Sequence, residues 1–581
     1  MDDVNIIYKN PTAGLENKPL NSVFEKKHEP DLPSKESRRK ADTILTQQIY
    51  DLAVKYSEEL VGAQKAFAPI RVDEIASRLA RFYETVRKIV DWKDDSVLRR
   101  GAIERILKRV LFTKIAGIEE KNVDVEKLAE TVTLELIRGG HLPNDAIPTE
   151  RVEIVSESLK KYLFFLEYLN NYKPSQVKKR VNVTTFILEI ASCEVEEILT
   201  RPVKEYGIID AMTEMLTERI RVAPKNKLTN KEIQRYVFIA TCRTLYDLDT
   251  NFIIYRLLQI KYPDWKNPDT ESVRAIASEL PNTWKELKME LNLPITRKFS
   301  GLTERIDTVF MLIDDILDEL KDKPKTIVKT LENKKRFKSL ISKAYDKRHK
   351  TLKRRLFRLA IFSTLSVFLS NWFTFFIVEV PLARLFYEGF SFSAAVVDFA
   401  IPTALMFFLV IIIKPPKKDN LKKVLKTSLG FVYQDENWEY YQIKIKGDKP
   451  SMFQIVMSAL YIYTMFLVFI GIAAVFYYAN LPLTSVAFDT FTIALTVFAA
   501  VTIKNRAREL NVDEHTSVWD FILDIVSVPV AKVGSFFTAK WKEYNIIAIF
   551  FSFIFETPFA LLLNFIQGWS EYIKERRSEL H

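Results

Sequence analysis

Beyond Arg358 the chain carries four predominantly apolar runs, Leu359–Val378, Phe392–Ile413, Ile455–Ala479 and Leu483–Ile503. Each matches the ~20 residues of helix that a bilayer core demands. No water completes a free N–H or C=O in hydrocarbon, so each run must be helical. The C-terminal part is therefore expected to be a helical membrane domain of about four spans.

Lys and Arg set the expected orientation. From Lys321 to Arg358 there are sixteen Lys/Arg against Asp322, Glu332 and Asp346, a local charge of 16 − 3 = +13. The whole chain sums to +11, so the remainder carries −2. Lys414, Lys417, Lys418, Lys422, Lys423 and Lys426 follow the second run, and Lys504, Arg506 and Arg508 follow the fourth. The connections around Tyr387 and Asn480 hold only Arg384. This asymmetry places the basic loops and the N-terminal region on the cytoplasmic side of a multi-pass protein of the cell membrane. Lys334, Lys335, Arg336, Lys338, Lys353, Arg354, Arg355 and Arg358 form a polybasic collar expected to contact anionic lipid.

The segment after Ile503 reads as an interfacial helix over Trp519–Trp541. The broken or re-entrant run Ile546–Ile566 and a basic tail follow, with a fifth crossing that puts the tail outside as the alternative. Pro558 would remove a backbone donor from that run, and Glu556 is costly in hydrocarbon. Between the two membrane hairpins (359–413 and 453–503), residues 414–452 form a loop. There Tyr441, Ile443 and Ile445 alternate with polar residues, which suggests a strand. Phe431–Tyr433 is expected to pair with it as a small β-hairpin across Asp435–Asn437.

Before the membrane runs a period near 3.6 dominates. Val72, Ile75, Leu79, Phe82, Val86 and Ile89 form one apolar stripe, and Val155, Leu159, Tyr162, Leu166 and Leu169 form another. Thr229 and Glu232 have capping-box spacing. Ile306 to Leu320 repeats the pattern until Pro324. The fold class is therefore all-α. Residues 1–40, with Pro11, Pro19, Pro30 and Pro33, read as a flexible tail without the apolar core of a signal peptide. Helical subdomains are expected at 41–170 and 181–300, then a connecting helix and the collar at 301–358. The basic residues Arg99, Arg100, Arg105, Lys108 and Arg109 read as the solvated face of a helix whose other side carries Leu98, Ala102, Ile106 and Val110.

The stretch from Val90 to Leu111, VDWKDDSVLRRGAIERILKRVL, resembles a segment of an uncharacterised family of large predicted membrane proteins from candidate-phylum bacteria. Tyr262-Pro-Asp-Trp265, Glu379-Val-Pro381 and Glu556-Thr-Pro-Phe559 are similar too. The resemblance spans most of the chain and implies the same architecture, with no activity attached.

Phosphate-cradling loops need glycine, and the chain has 14 Gly and neither Gly-rich fingerprint. Its 5 His and 2 Cys show no zinc-ligand spacing. Cys193 and Cys242 read as buried small hydrophobes. No nucleic-acid module accompanies the basic residues. The chain is accordingly expected to be neither an enzyme nor a nucleic-acid binder, and to need no cofactor.

Ionisable residues inside apolar runs are functional candidates, here Glu379, Asp398, Asp489 and Glu556 together with Pro558. Glu379, Asp398 and Asp489 are expected near the outer interface, and Glu556 is expected to cap a half-helix. On this reading the leading expectation is a membrane-anchored scaffold or adaptor that binds a protein partner or forms a homo-oligomer. The alternative is a subunit of an oligomeric transporter or channel that uses the carboxylates.

Overall fold

The computed structural model describes residues 44–63, 70, 95–111, 123–143, 146–171, 177–223, 228–386, 392–413, 415–416, 419–434, 440–445, 452–479, 481–511, 518–544 and 569. The stripe Val72–Ile89, the run Ile546–Ile566 and the tail 1–40 lie outside the described residues.

Capping and periodicity generate the helices of the first part. These are α1 (Gln47–Ala63), α2 (Asp95–Val110), α3 (Val125–Arg138), α4 (Thr149–Asn171), α5 (Val177–Thr200), α6 (Val203–Arg219), α7 (Asn230–Tyr246), α8 (Thr250–Lys261), α9 (Thr270–Leu291), α10 (Pro294–Thr303), α11 (Asp307–Leu320) and α12 (Ile327–Glu332). The Thr229 hydroxyl accepts from the Glu232 N–H, and the Glu232 carboxylate accepts from the Thr229 N–H, closing the expected capping box. Asp124, Asp249 and Asp269 cap α3, α8 and α9 in the same way. In α4 the expected stripe is buried at Val155, Leu159, Tyr162 and Leu166 and half-buried at Leu169. Cys193 and Cys242 are buried free thiols.

The basic stretch of α2 is less solvated than its pattern implies. Arg100 is 4% exposed and reaches Glu196 at 3.0 Å and Asp249 at 2.7 Å. Arg99 also binds Glu196, and Arg109 pairs with Glu135. Arg100 is an internal strut whose acidic partners lie far away in sequence, whereas Lys108 and Arg109 stay on the exposed face as expected.

A single helix, α13 (Lys334–Thr374), carries the chain out of this domain into the membrane domain. At 1.5 Å per residue it is ~60 Å long. Its first half buries Phe337, Ile341, Ala344, Tyr345, Leu352 and Leu356. Arg348 pairs with Asp315 of α11. Its second half leaves Phe362 66% and Phe373 54% exposed, a surface suited to lipid rather than water. A π-turn over Phe375–Glu379 and α14 (Val380–Phe386) follow. Then come α15 (Phe392–Ile412), α16 (Asp419–Val432), α17 (Met452–Tyr478), α18 (Leu483–Ala507) and α19 (Val518–Tyr544).

Three helices among the described residues are long and apolar enough to cross a membrane. They lie in Lys334–Leu382, Ser458–Tyr478 and Leu483–Ala507. This corrects the expected four. The run Phe392–Ile413 forms α15, within which Val396–Ile412 is a shorter apolar helix than the other three.

α19, which covers the stretch expected to be an interfacial helix, runs antiparallel along α18. Lys504 pairs with Asp524 at 2.7 Å, Gly534 abuts Ala494, and Phe537 meets Phe491 with ring centroids 4.7 Å apart. An amphipathic pattern cannot tell a polar face turned to water from one turned to a polar helix partner. The small residues Gly534 and Ala494 let these two backbones approach.

The expected β-hairpin is also corrected. Phe431 and Val432 end α16, and Tyr433 bridges antiparallel to Leu45. The strand Tyr441–Lys444 forms, but it pairs in parallel with Ile220–Ala223, in register Ile220 to Tyr441 and Ala223 to Lys444. Alternation marks a strand, whereas its partner is set by whichever edge tertiary packing presents. The 414–452 loop is thereby bolted to the helical domain. Tyr433 also donates to the Leu331 carbonyl at 2.6 Å, and one continuous apolar core runs from Leu45 to Leu510.

Candidate functional site: three buried carboxylates

Two prolines shape the site. Pro381 has no N–H for the carbonyl four residues earlier and its ring crowds that carbonyl, so a regular α-turn cannot pass through it. The helix widens instead, and the Val380 N–H donates five residues back to Phe375. Such π-turns recur at functional positions in helices. Here the turn ends at Glu379, whose side chain points inward in line with Asn371 and Phe375. The three residues are 2%, 5% and 5% exposed.

Pro402 acts likewise within α15. It leaves the carbonyl of Asp398, four residues earlier, without its helical donor. The Asn371 side-chain amide supplies one at 3.3 Å, tying α13 to α15 at that level. On α18, Ser485 and Asp489 stand one turn apart on the same buried face, at 0% and 2% exposure.

These helices bring Glu379, Asp398 and Asp489 together, with one carboxylate oxygen of each within 4.8 Å of the others. The Asp398 and Asp489 carboxyls are in hydrogen-bonding reach, and Glu379 faces Ser485. Both Asp398 oxygens, Glu379 Oε2, Asp489 Oδ2 and Ser485 Oγ are buried with no hydrogen-bond donor or acceptor of good geometry. Among the described residues no Lys or Arg forms an ion pair with any of the three.

Like charges so placed cannot all stay ionised without compensation. At 4.8 Å and an effective dielectric near 20, each ionised pair repels by about 3–4 kcal/mol. The cluster needs protons or a bound cation. Asp398 and Asp489 each lie six residues into their helices, ~9 Å from the ends remote from the helical domain.

Of the four acidic candidates that the sequence offers, three, Glu379, Asp398 and Asp489, make up this site; they were expected near the outer interface and not as a group. The structure brings them into one buried cluster. Glu556 and Pro558 lie outside the described residues. Ser485 and Asn371 were missed, although their helical spacing from Asp489 and Glu379, and the Pro402–Asp398 spacing, were legible.

A second polar cluster lies in the helical domain. Lys161, 1% exposed, donates to Glu194 at 2.8 and 2.9 Å and to the Trp265 carbonyl at 2.6 Å. Ser158, Tyr162 and the Trp265 indole also donate to Glu194. Burial pushes the Lys161 ammonium below its ordinary value, and Glu194 opposes the shift. Every partner is supplied, so this network fastens α4 to α5 and gives Trp265 of Tyr262-Pro-Asp-Trp265 a structural task.

Of the collar, Lys335, Arg336, Lys338, Lys353, Arg354 and Arg358 are exposed. Lys334 sits over the Tyr433 ring at 5.6 Å, and Arg355 pairs with Glu509.

Comparison with protein-family models, curated proteins and solved structures gave no match. The functional reading therefore rests on the geometry of the Glu379–Asp398–Asp489 cluster.

Proposed function

We propose that this chain is a cation-handling membrane protein, a subunit of a transporter or channel, with the Glu379–Asp398–Asp489 cluster as its ion site. The observation that carries this reading is the convergence of three buried carboxylates from three helices, with oxygens left unsatisfied. A scaffold has no use for such a group, because buried uncompensated charge opposes folding. A site that alternately takes up and releases protons or a cation does use it, and intramembrane carboxylates commonly mark ion pathways. The helical domain then serves as a rigid base. α13 links it to Glu379 without a break, and α18 carries both Asp489 and the turn ending at Glu509.

The test is reconstitution of the purified chain in liposomes under imposed gradients of H⁺, Na⁺, K⁺ and divalent cations. At least one flux is expected, and Asp398→Asn should abolish it in protein that still inserts and melts cooperatively. No flux from well-incorporated wild type under any gradient would overturn transport and return the scaffold reading to first place.

A further inference from the structure

We infer that the Glu379–Asp398–Asp489 cluster is a site for one hard divalent cation of Ca²⁺ or Mn²⁺ size, with Ser485 Oγ as a fourth oxygen donor. This inference rests on the cation-handling reading and names the ion class.

The donor set comes first. Three carboxylates and one hydroxyl are all oxygen, and among the described residues no His or Cys belongs to the group. Such a set suits hard cations and does not favour zinc or copper, which take nitrogen and sulfur. The hydroxyl is an independent indication. Ser485 is 0% exposed beside Glu379, and its oxygen lacks a hydrogen bond of good geometry. What separates it from other buried hydroxyls is its place beside Glu379, where a bound ion would take up its lone pair.

Size comes next. Ca²⁺ binds oxygen at about 2.3–2.6 Å, so two ligand oxygens on one ion stand at most ~4.6–5.2 Å apart. The carboxylate oxygens, all within 4.8 Å of one another, already meet that limit. Mg²⁺, at about 2.0–2.1 Å, demands a near-ideal octahedron and holds its waters more firmly, which three carboxylates and one hydroxyl in a buried site suit less well.

Charge is the third strand. Three carboxylates sum to −3. A monovalent ion leaves −2 in a buried site, whereas a divalent ion leaves −1 beside the Ser485 and Asn371 dipoles.

The experiment uses the full chain in detergent, stripped with chelator and titrated with Ca²⁺ by calorimetry and with Mn²⁺ by electron paramagnetic resonance. One saturable site per chain is expected. Asp398→Asn and Asp489→Asn should each weaken it at least tenfold. Ser485→Ala should weaken it a few-fold while leaving the metal-free melting temperature in place. Absence of saturable binding, or binding unchanged in both Asn variants, overturns the inference. Should the Asn variants fail to fold, wild-type melting decides. Ca²⁺ must raise Tm saturably where K⁺ at equal ionic strength does not, and no such rise overturns the site. Divalent binding without any flux keeps this inference and overturns transport. Flux of protons or monovalent ions without divalent binding does the reverse.

Discussion

Asp398 of α15 and Asp489 of α18 face each other, carboxyl to carboxyl, inside the membrane domain, each at most 2% exposed and neither in an ion pair among the described residues. Their helices are held in register at this level by contacts that do not involve charge. Asn371 fixes α15 through the Asp398 carbonyl, and the apolar cluster of Val486, Ile493 and Val497 holds α18. The scaffold imposes the juxtaposition, and the pair opposes it.

Asp489→Asn should therefore stabilise the metal-free protein. It removes one ionisable member while keeping shape and hydrogen-bonding capacity. The gain is on the order of the pair repulsion, about 3–4 kcal/mol, less the part that bound protons already relieve. Thermal melting in detergent with chelator should show a higher Tm than wild type. A lower Tm would mean that the carboxylate holds the helices together through a partner.

At Gly534 the backbones of α18 and α19 lie close together. A Cβ built there would stand 2.4 Å from the Ala494 carbonyl oxygen and 2.7 Å from Phe498 Cβ. Backbone cannot yield as a side-chain tip can, so Gly534→Val should separate the helices and cost roughly 1–3 kcal/mol or more. Gly301→Ala, in α10 with nothing within 4 Å, should instead stabilise by about 0.5–1 kcal/mol. Folded yield by size-exclusion chromatography, with melting curves, would check both.

Asp307 gives the helical domain a pH dependence. It is buried at the start of α11, and burial pushes its carboxyl up from 3.8 to about 8, with Glu304 and Glu509 adding to the shift. The folded chain therefore holds a proton that the unfolded chain has lost across this interval. That contribution to stability is complete below pH 4 and is lost as pH rises through 8. Asp307→Asn should melt higher than wild type by several degrees at pH 8, with the difference shrinking towards pH 4. A pH-independent difference would assign the effect to packing.

The collar divides by geometry. From Lys334 to Lys353 the continuous helix α13 rises ~29 Å, several Debye lengths at physiological salt. Lys353, Arg354 and Arg358 adjoin the apolar half of α13, while Lys335, Arg336 and Lys338 lie at the other end. Neutralising the first trio to Gln should strip most co-purified anionic lipid. Neutralising the second trio should remove little. Each effective cation is worth on the order of 1 kcal/mol. Lipid retention after graded salt washes would measure the split, and equal losses would show that both ends meet the bilayer.

Local sequence settled much of this molecule because its signals are local. Helix periodicity, the Thr229–Glu232 capping box and the long apolar runs depend on residues within a few turns of each other, or on the bilayer as a uniform solvent. The strand at Tyr441–Lys444 was legible for the same reason. Its partner Ile220–Ala223 was not, since pairing joins distant segments that only packing brings together. The bond between Asn371 and the Asp398 carbonyl, the burial of Arg100 and the antiparallel seat of α19 on α18 also belong to tertiary structure. The site divides in the same way. Glu379, Asp398 and Asp489 were visible one by one as charges out of place in hydrocarbon, and Pro381 and Pro402 marked where the helices must deform. That these deformations turn three carboxylates onto one point depends on how the helices rotate and cross. That rotation is fixed by the summed packing of many apolar contacts, which no single stretch of sequence contains.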